Sequence, residues 1–159
     1  MSENIACLVG QALLQQHYKL ATAESCTGGC LAAELTAIAG SSQWFDRGFV
    51  TYSNTAKVEM LGICEQTLAN EGAVSERIAQ QMAAGAMRYS QAQVAIATTG
   101  IAGPSGGTIS KPVGMVCFAW GFAIGDIMTT THFFSGDRHA VRKQAVVFAL
   151  QALLQLLDK

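Results

Sequence analysis

The chain has 159 residues and a mass of 16.7 kDa, a length that suits one domain and buries about 68–70% of the unfolded surface without a metal or disulfide staple. Half of its residues are hydrophobic, 13% are charged and two are proline, which excludes disordered, collagenous and disulfide-scaffold classes. Ten basic residues against eleven acidic ones leave a formal net charge of −1, so there is no field to gather phosphate backbones or anionic lipid, and neither nucleic acid nor a membrane is expected as a partner.

Ile5, Leu8, Val9, Ala12 and Leu13 recur at helical spacing and predict an amphipathic helix ending near His17. Lys19 to Ala23 predicts a short strand that runs through Ser-Cys-Thr-Gly-Gly into a helix of strong formers from Cys30 to Ile38. Phe45 to Tyr52, rich in aromatic and β-branched residues, predicts a strand; Asn54 as N-cap and Gly62 as stop then bound a helix of barely two turns. Ser75 opens a second amphipathic helix, with Ile78, Met82 and Ala86 on one face, that ends near Tyr89. Val94 to Thr99 and Gly114 to Phe122 are continuously apolar, as central strands covered on both faces are. Ile127 to Phe134 alternates in the manner of a strand nearer an edge, joined to its predecessor by a hairpin through Ala123–Asp126. The last helix begins near Asp137 and carries Val141, Ala145, Phe148, Ala152 and Leu156 along one stripe.

Helices and strands interleave without a linker or repeat, so residues 1–159 are expected to form a single three-layer α/β/α domain with a mixed central sheet. Ligands of such sheets sit beyond the carboxyl ends of strands. The five cysteines, at 7, 26, 30, 64 and 117, form no C-x-x-C pair, and Met1 opens no basic-then-apolar leader. Reduced thiols in the cytoplasm are therefore expected. The longest apolar run, Met115 to Ala123, has nine residues, well short of the ~20 of a spanning helix.

Four segments invite a chemical reading. In Thr22-Ala-Glu-Ser-Cys-Thr-Gly-Gly, Ser25 or Thr27 could simply cap the next helix. Gly28 and Gly29, expected in the first helical turn, each cost up to ~1 kcal/mol there and call for a reason such as close backbone approach to a ligand. Free amides around Thr27, Gly28 and Gly29 would suit an oxyanion and make Ser25 a candidate nucleophile. The usual base is histidine, yet His17 ends a helix, His132 lies on a strand face and His139 in an exposed first turn. Lys57 is a different base: with Asn54 as cap it falls at N3, where the helix dipole opposes a cation and favours the neutral amine. Tyr52 stands at the end of the preceding strand, poised to relay a proton. Against this, Lys57 could be a solvated surface residue and Tyr52 a packing phenol.

The third segment holds Gly100, Gly103, Gly106 and Gly107, four glycines in eight residues. It matches neither phosphate fingerprint but offers backbone amides to a substrate's polar edge. The fourth, Phe134-Ser-Gly-Asp-Arg-His-Ala-Val-Arg, opens the last helix with Arg138 and Arg142 on one face, sensible if they share a phosphate. No ligand set for a metal emerges: Cys26 and Cys30 lie one turn apart without partners, so neither a metal nor another cofactor is expected.

Six blocks, in order along nearly the whole chain, resemble the CinA C-terminal family: 22–29, Ala-Gly-Ser-Ser-x-Trp-Phe-x-Arg-Gly from Ala39, Val-Thr-Tyr-Ser-Asn-x-x-Lys at 50–57, Gly-Ala-Val-Ser-Glu at 72–76, Thr-Gly-Ile-Ala-Gly-Pro-x-Gly-Gly at 99–107 and Lys-Pro-Val-Gly at 111–114. The Ser-Gly-Asp-Arg turn adds to them. The resemblance implies a bacterial nicotinamide-nucleotide amidase acting in pyridine-nucleotide recycling, with nicotinamide mononucleotide as substrate and a serine–tyrosine–lysine arrangement at Ser25, Tyr52 and Lys57. It also implies the form without the N-terminal domain, similar to molybdopterin-binding modules, that longer members carry. Asn54, the Gly100–Gly107 loop and Arg138 are the expected substrate-binding residues beside Thr27, Gly28 and Gly29, with Arg138 and the loop at the ribose-phosphate end. A rival reading keeps the pocket without hydrolysis, as a nucleotide- or partner-binding module; a homo-oligomer is admitted by either.

Overall fold

The computed structural model describes residues 4–159. Along them run α1 (Ile5–Gln15), β1 (Leu20–Glu24), α2 (Cys30–Thr36), a 3-10 turn (Ser41–Gln43), β2 (Phe45–Val50), α3 (Asn54–Leu61), α4 (Glu65–Glu71), α5 (Glu76–Arg88), β3 (Val94–Gly100), β4 (Met115–Phe122), β5 (Met128–Phe133) and α6 (Arg138–Leu157). The strands form one sheet in the order β2-β1-β3-β4-β5. β1 is parallel to both β2 and β3, while β3–β4 and β4–β5 are antiparallel. This is the expected mixed sheet, with β5 at one edge.

Short polar side chains set the helix starts. Ser75 Oγ accepts the Ile78 amide at 3.2 Å and Asp137 the Ala140 amide at 2.9 Å, each satisfying a donor the helix itself leaves free. The start of α3 differs from expectation. Ser53, in extended conformation, accepts the Ala56 amide at 3.0 Å, so Asn54 is already the first helical residue and Lys57 lies one position beyond N3. The hydroxyl of Ser53 reaches the orphan amide first, and nothing remains for Asn54 to cap. Helix α4 was not expected, because seven residues show too little periodicity to stand out from a loop.

The two faces of the sheet carry different cores. Leu20, Ile96, Val116, Phe118 and Trp120 pack towards α1, α2 and α6, where Trp120 Nε1 donates to the Ala149 carbonyl at 3.0 Å. His132, exposed on β5, lies against Phe134 and Phe148 at the rim of this group. Ala21, Ala23, Ala95, Ala97 and Ala119 face α5, against Ile78, Met82, Ala83 and Ala86. Small side chains on that face let α5 lie close to the sheet. At 20 residues, α6 is long and apolar enough to cross a bilayer, but Val141, Ala145, Val146, Ala149, Leu150, Leu153 and Leu157 are buried within the protein. Its buried seam is broader than the expected stripe, since α1 and the sheet contact it from two sides.

β1, β2 and β3 run parallel, so their carboxyl ends emerge along one edge. The chain leaves β1 through α2 on one face and returns to β3 through α5 on the other. That divergence opens a crevice at the ends of β1 and β3.

Candidate active site

Ser25 stands where β1 ends, between its two neighbours. Its amide donates to Thr98 O at 2.9 Å, while Thr51 N–H donates to Glu24 O at 2.8 Å. The following turn closes through Gly28 N–H to Ser25 O at 3.0 Å. Gly28 and Gly29 adopt φ of 57° and 99°, left-handed values that glycine reaches without a Cβ penalty. They precede α2 instead of lying in its first turn, and the left-handed turn is what needs them.

The cap of α2 is neither Ser25 nor Thr27. Glu24, fully buried, accepts the Leu31 and Ala32 amides at 2.9 and 3.1 Å and the Thr27 hydroxyl at 2.6 Å. A carboxylate against a helix N-terminus is a charge-assisted cap, and it frees the Ser25 hydroxyl for other work. The signal for it in the sequence was a lone acid in an otherwise apolar strand.

Lys57 reaches Ser25 from α3. It is 1% exposed, and its Nζ donates to Thr51 O at 2.8 Å and to Ser25 Oγ at 3.0 Å. No carboxylate pairs with it among the described residues. Burial pushes its pKa below the ordinary 10.5, with the neighbouring Cys26 opposing the shift. An ammonium without a counter-ion is poorly solvated there, so the neutral amine is favoured. The expected direction therefore stands, while desolvation takes the place of the helix dipole as its cause. Burial also pushes the Cys26 thiol up to about 12, which keeps it protonated and leaves Ser25 the better nucleophile.

Both groups open on a cavity of about 220 Å³ lined by Ser25, Cys26, Tyr52, Asn54, Lys57, Ala73, Val74, Thr99, Gly100, Ala102 and Arg138. Six of the residues singled out from the sequence thus meet: Ser25, Tyr52, Asn54, Lys57, Gly100 and Arg138. Others do not. Thr27 is buried beneath the turn on Glu24, and the Gly28 amide is held by Ser25 O. Gly29 lies outside the lining. Gly103 is buried and gives its carbonyl to Arg138 Nη1 at 2.9 Å; Gly106 and Gly107 are exposed along the loop. Tyr52 is 60% exposed, and its hydroxyl accepts from Arg138 Nη2 at 2.8 Å, not from Ser25 or Lys57.

Sequence reasoning passed over Cys26, Ala73, Val74, Thr99 and Ala102 as lining residues. Ala73 and Val74 stood in a recognised block without any chemistry of their own; Thr99 Oγ1, at the end of β3, donates to Ala73 O at 2.8 Å and ties the two walls together. Among the described residues no histidine lines this cavity. A second cavity of about 580 Å³ shares Ala102 and Arg138 with it and adds His139 and Arg142. A buried amine with a lowered pKa within hydrogen-bonding distance of a serine hydroxyl is an arrangement suited to acyl transfer.

A family model, the CinA C-terminal domain, matches residues 2–157. The chain is 55% identical to the nicotinamide-nucleotide amidohydrolase PncC of Escherichia coli K12, covering 92% of this chain and 89% of that protein. With the protein of the same name from Pseudomonas putida it shares 45% identity, over 96% and 94% of the two chains. A crystal structure of a CinA-superfamily protein from Klebsiella pneumoniae superimposes with a TM-score of 0.93 at 45% identity, covering 97% of this chain and 96% of the other.

Proposed function

The chain belongs to the CinA C-terminal domain family, and from that premise we propose that it hydrolyses the carboxamide of nicotinamide mononucleotide to nicotinic acid mononucleotide and ammonia by a serine mechanism. Its place is pyridine-nucleotide recycling in the cytoplasm. The 3.0 Å contact between the buried Lys57 Nζ and Ser25 Oγ carries the mechanism. As a neutral amine, Lys57 keeps its donation to Thr51 O and accepts the Ser25 proton along that contact while Oγ attacks the carboxamide carbon. The C–N bond of the resulting adduct then breaks as Lys57 returns the proton to the departing ammonia. Water, deprotonated by the same amine, cleaves the acyl-serine and releases the acid.

The developing oxyanion needs donors. The amides of Cys26, Thr27 and Gly29 donate to no other residue's carbonyl among the described residues, and of the three only Cys26 lines the cavity beside Ser25. Cys26 N–H, from the residue after the nucleophile, is the donor best placed, and one such donor contributes about 3–4 kcal/mol. Direct contact between Lys57 and Ser25 leaves Tyr52 free of the relay. With Arg138 it forms the boundary towards the larger cavity, where the ribose-phosphate end fits beside Arg138 and His139.

Ammonia release from nicotinamide mononucleotide by the unmodified protein and by Ser25→Ala tests the reading. Release that Ser25→Ala abolishes is expected. Ligand-induced thermal stabilisation without release from either protein would instead favour a binding module. At the phosphate end, kcat/KM for the riboside should fall well below that for the mononucleotide, and equal values would refute the anchor.

A further inference from the structure

The proposed mechanism leaves one half-buried contact unused, and it bears on the same turn. Ser25, Cys26, Thr27 and Gly28 form a β-turn closed by Gly28 N–H to Ser25 O. The carbonyls of its two inner residues are both received by a single side chain from α6: Arg142 Nε donates to Cys26 O at 3.1 Å and Nη2 to Thr27 O at 3.2 Å. Nη2 also lies 3.3 Å from Cys30 Sγ, the first residue of α2. Gly28 makes room for this approach, since a Cβ there would stand 3.2 Å from Nη2.

Arg142 does not line the cavity that holds Ser25 and Lys57, so it touches none of the reacting atoms. What it fixes is backbone. The two common forms of a β-turn differ by reversal of the central peptide, here the one between Cys26 and Thr27. A guanidinium on Cys26 O holds that peptide in one orientation, and its planar fork lets it hold Thr27 O as well, which a lysine ammonium with its single point of charge matches poorly. The hold on Thr27 O fixes the Thr27–Gly28 peptide, whose N–H donates to Ser25 O; Ser25 O and the Cys26 amide share one peptide plane, so the direction of that amide relative to Ser25 Oγ is set through this bond.

We infer that Arg142 is a positioning residue that locks the nucleophile turn and thereby aims the Cys26 amide at the oxyanion. The inference rests on the serine mechanism proposed above. It predicts a loss in kcat and not in substrate binding, because a donor misaimed by about 1 Å costs up to ~10²-fold in the transition state.

The test compares the unmodified protein with Arg142→Gln, Arg142→Lys and Arg142→Ala, each first characterised by its melting temperature. In folded Arg142→Gln, kcat for ammonia release should fall roughly 10- to 100-fold with KM within about twofold. Arg142→Lys should recover only a small part. Added guanidinium chloride at millimolar concentration should raise kcat of Arg142→Ala several-fold, where equal sodium chloride does not. Unchanged kcat in a folded variant overturns the inference. So does a rise in KM that exceeds the fall in kcat, which would make Arg142 a ligand of the phosphate from the adjoining cavity. If every variant unfolds, the arginine serves the fold, and the inference falls likewise.

A second readout needs no amide. A fluorophosphonate is attacked at phosphorus by Ser25 Oγ, fluoride leaves, and Lys57 takes the hydroxyl proton, so the labelling rate reports the turn by itself. If the unmodified protein labels at Ser25 but releases no ammonia, the amidase reading fails while the rate in Arg142→Gln still decides the inference: slower labelling supports it and equal labelling overturns it. A protein that neither labels nor releases ammonia overturns both.

Discussion

In the proposed mechanism Ser25 and Lys57 derive their reactivity from an unfavourable choice, a lysine buried to 1% exposure with no carboxylate paired to it among the described residues. A charged amine is costly in that setting, and burial lowers the pKa of Lys57 accordingly. Only the neutral amine can accept from Ser25, so kcat/KM should rise with pH through the lowered pKa of Lys57 to a plateau, on a limb that lies below 10.5. The unfolded chain retains that proton up to 10.5. Between the two values it binds more protons than the folded protein, and stability should therefore rise with pH across the window. Lys57→Met separates the two roles: ammonia release should drop by about 10²–10⁴-fold, the contribution of a positioned base, while the melting temperature at neutral pH holds or increases. A large fall in melting temperature would show Lys57 to be structural. Both residues were legible in the sequence because Ser-Cys-Thr-Gly-Gly and Tyr-Ser-Asn-x-x-Lys are unusual at helix starts. The cause of the lysine's shift was not legible, since burial is a property of the folded chain.

Among elements, α3 carries the proposed base and α5 packs against α3. The two meet at Gly85, where an added Cβ would lie 2.3 Å from the Leu61 carbonyl oxygen and 2.9 Å from Leu61 Cβ. Backbone cannot yield as a flexible side chain can. Gly85→Ala is expected to destabilise the protein by about 1–3 kcal/mol, the range for overpacking a close contact, as a lower urea midpoint at unchanged slope. It should also reduce kcat, because Leu61 ends the helix on which Lys57 sits one turn earlier. An unaltered midpoint would mean that the two helices separate freely. Element starts were well marked: Ser75 and Asp137 cap as their side-chain chemistry demands. Failures came where a choice was local and close. Ser53 outcompetes Asn54 for the α3 cap, and Glu24 outcompetes Ser25 and Thr27 at α2 by reaching from a preceding strand, a contact that spacing along the chain does not announce.

Across the whole molecule, two unequal cores share one sheet, aromatic and leucine-rich beneath α1, α2 and α6, alanine- and methionine-rich beneath α5. The interiors of β1, β3 and β4 contribute to both, so neither face can melt and leave the other intact. Unfolding in urea should be a single transition. Trp44 and Trp120 lie in the first core, so their fluorescence reports that face, while far-UV ellipticity includes α5; the two curves should coincide, and an earlier loss of ellipticity would contradict the shared sheet. Hydrophobic periodicity and capping residues by themselves determined the α/β class and most elements, because those signals are local and repeat along the chain, while the family was legible from the six ordered motif blocks. Which residues of the glycine-rich loop line the cavity was decided only by tertiary structure: Gly100 does so, whereas Gly106 and Gly107 lie exposed outside the lining. The direct meeting of Lys57 with Ser25, and of Arg142 with the turn, was likewise decided there, because contacts across 32 and more than 110 residues depend on how the sheet brings strand ends and helix starts together.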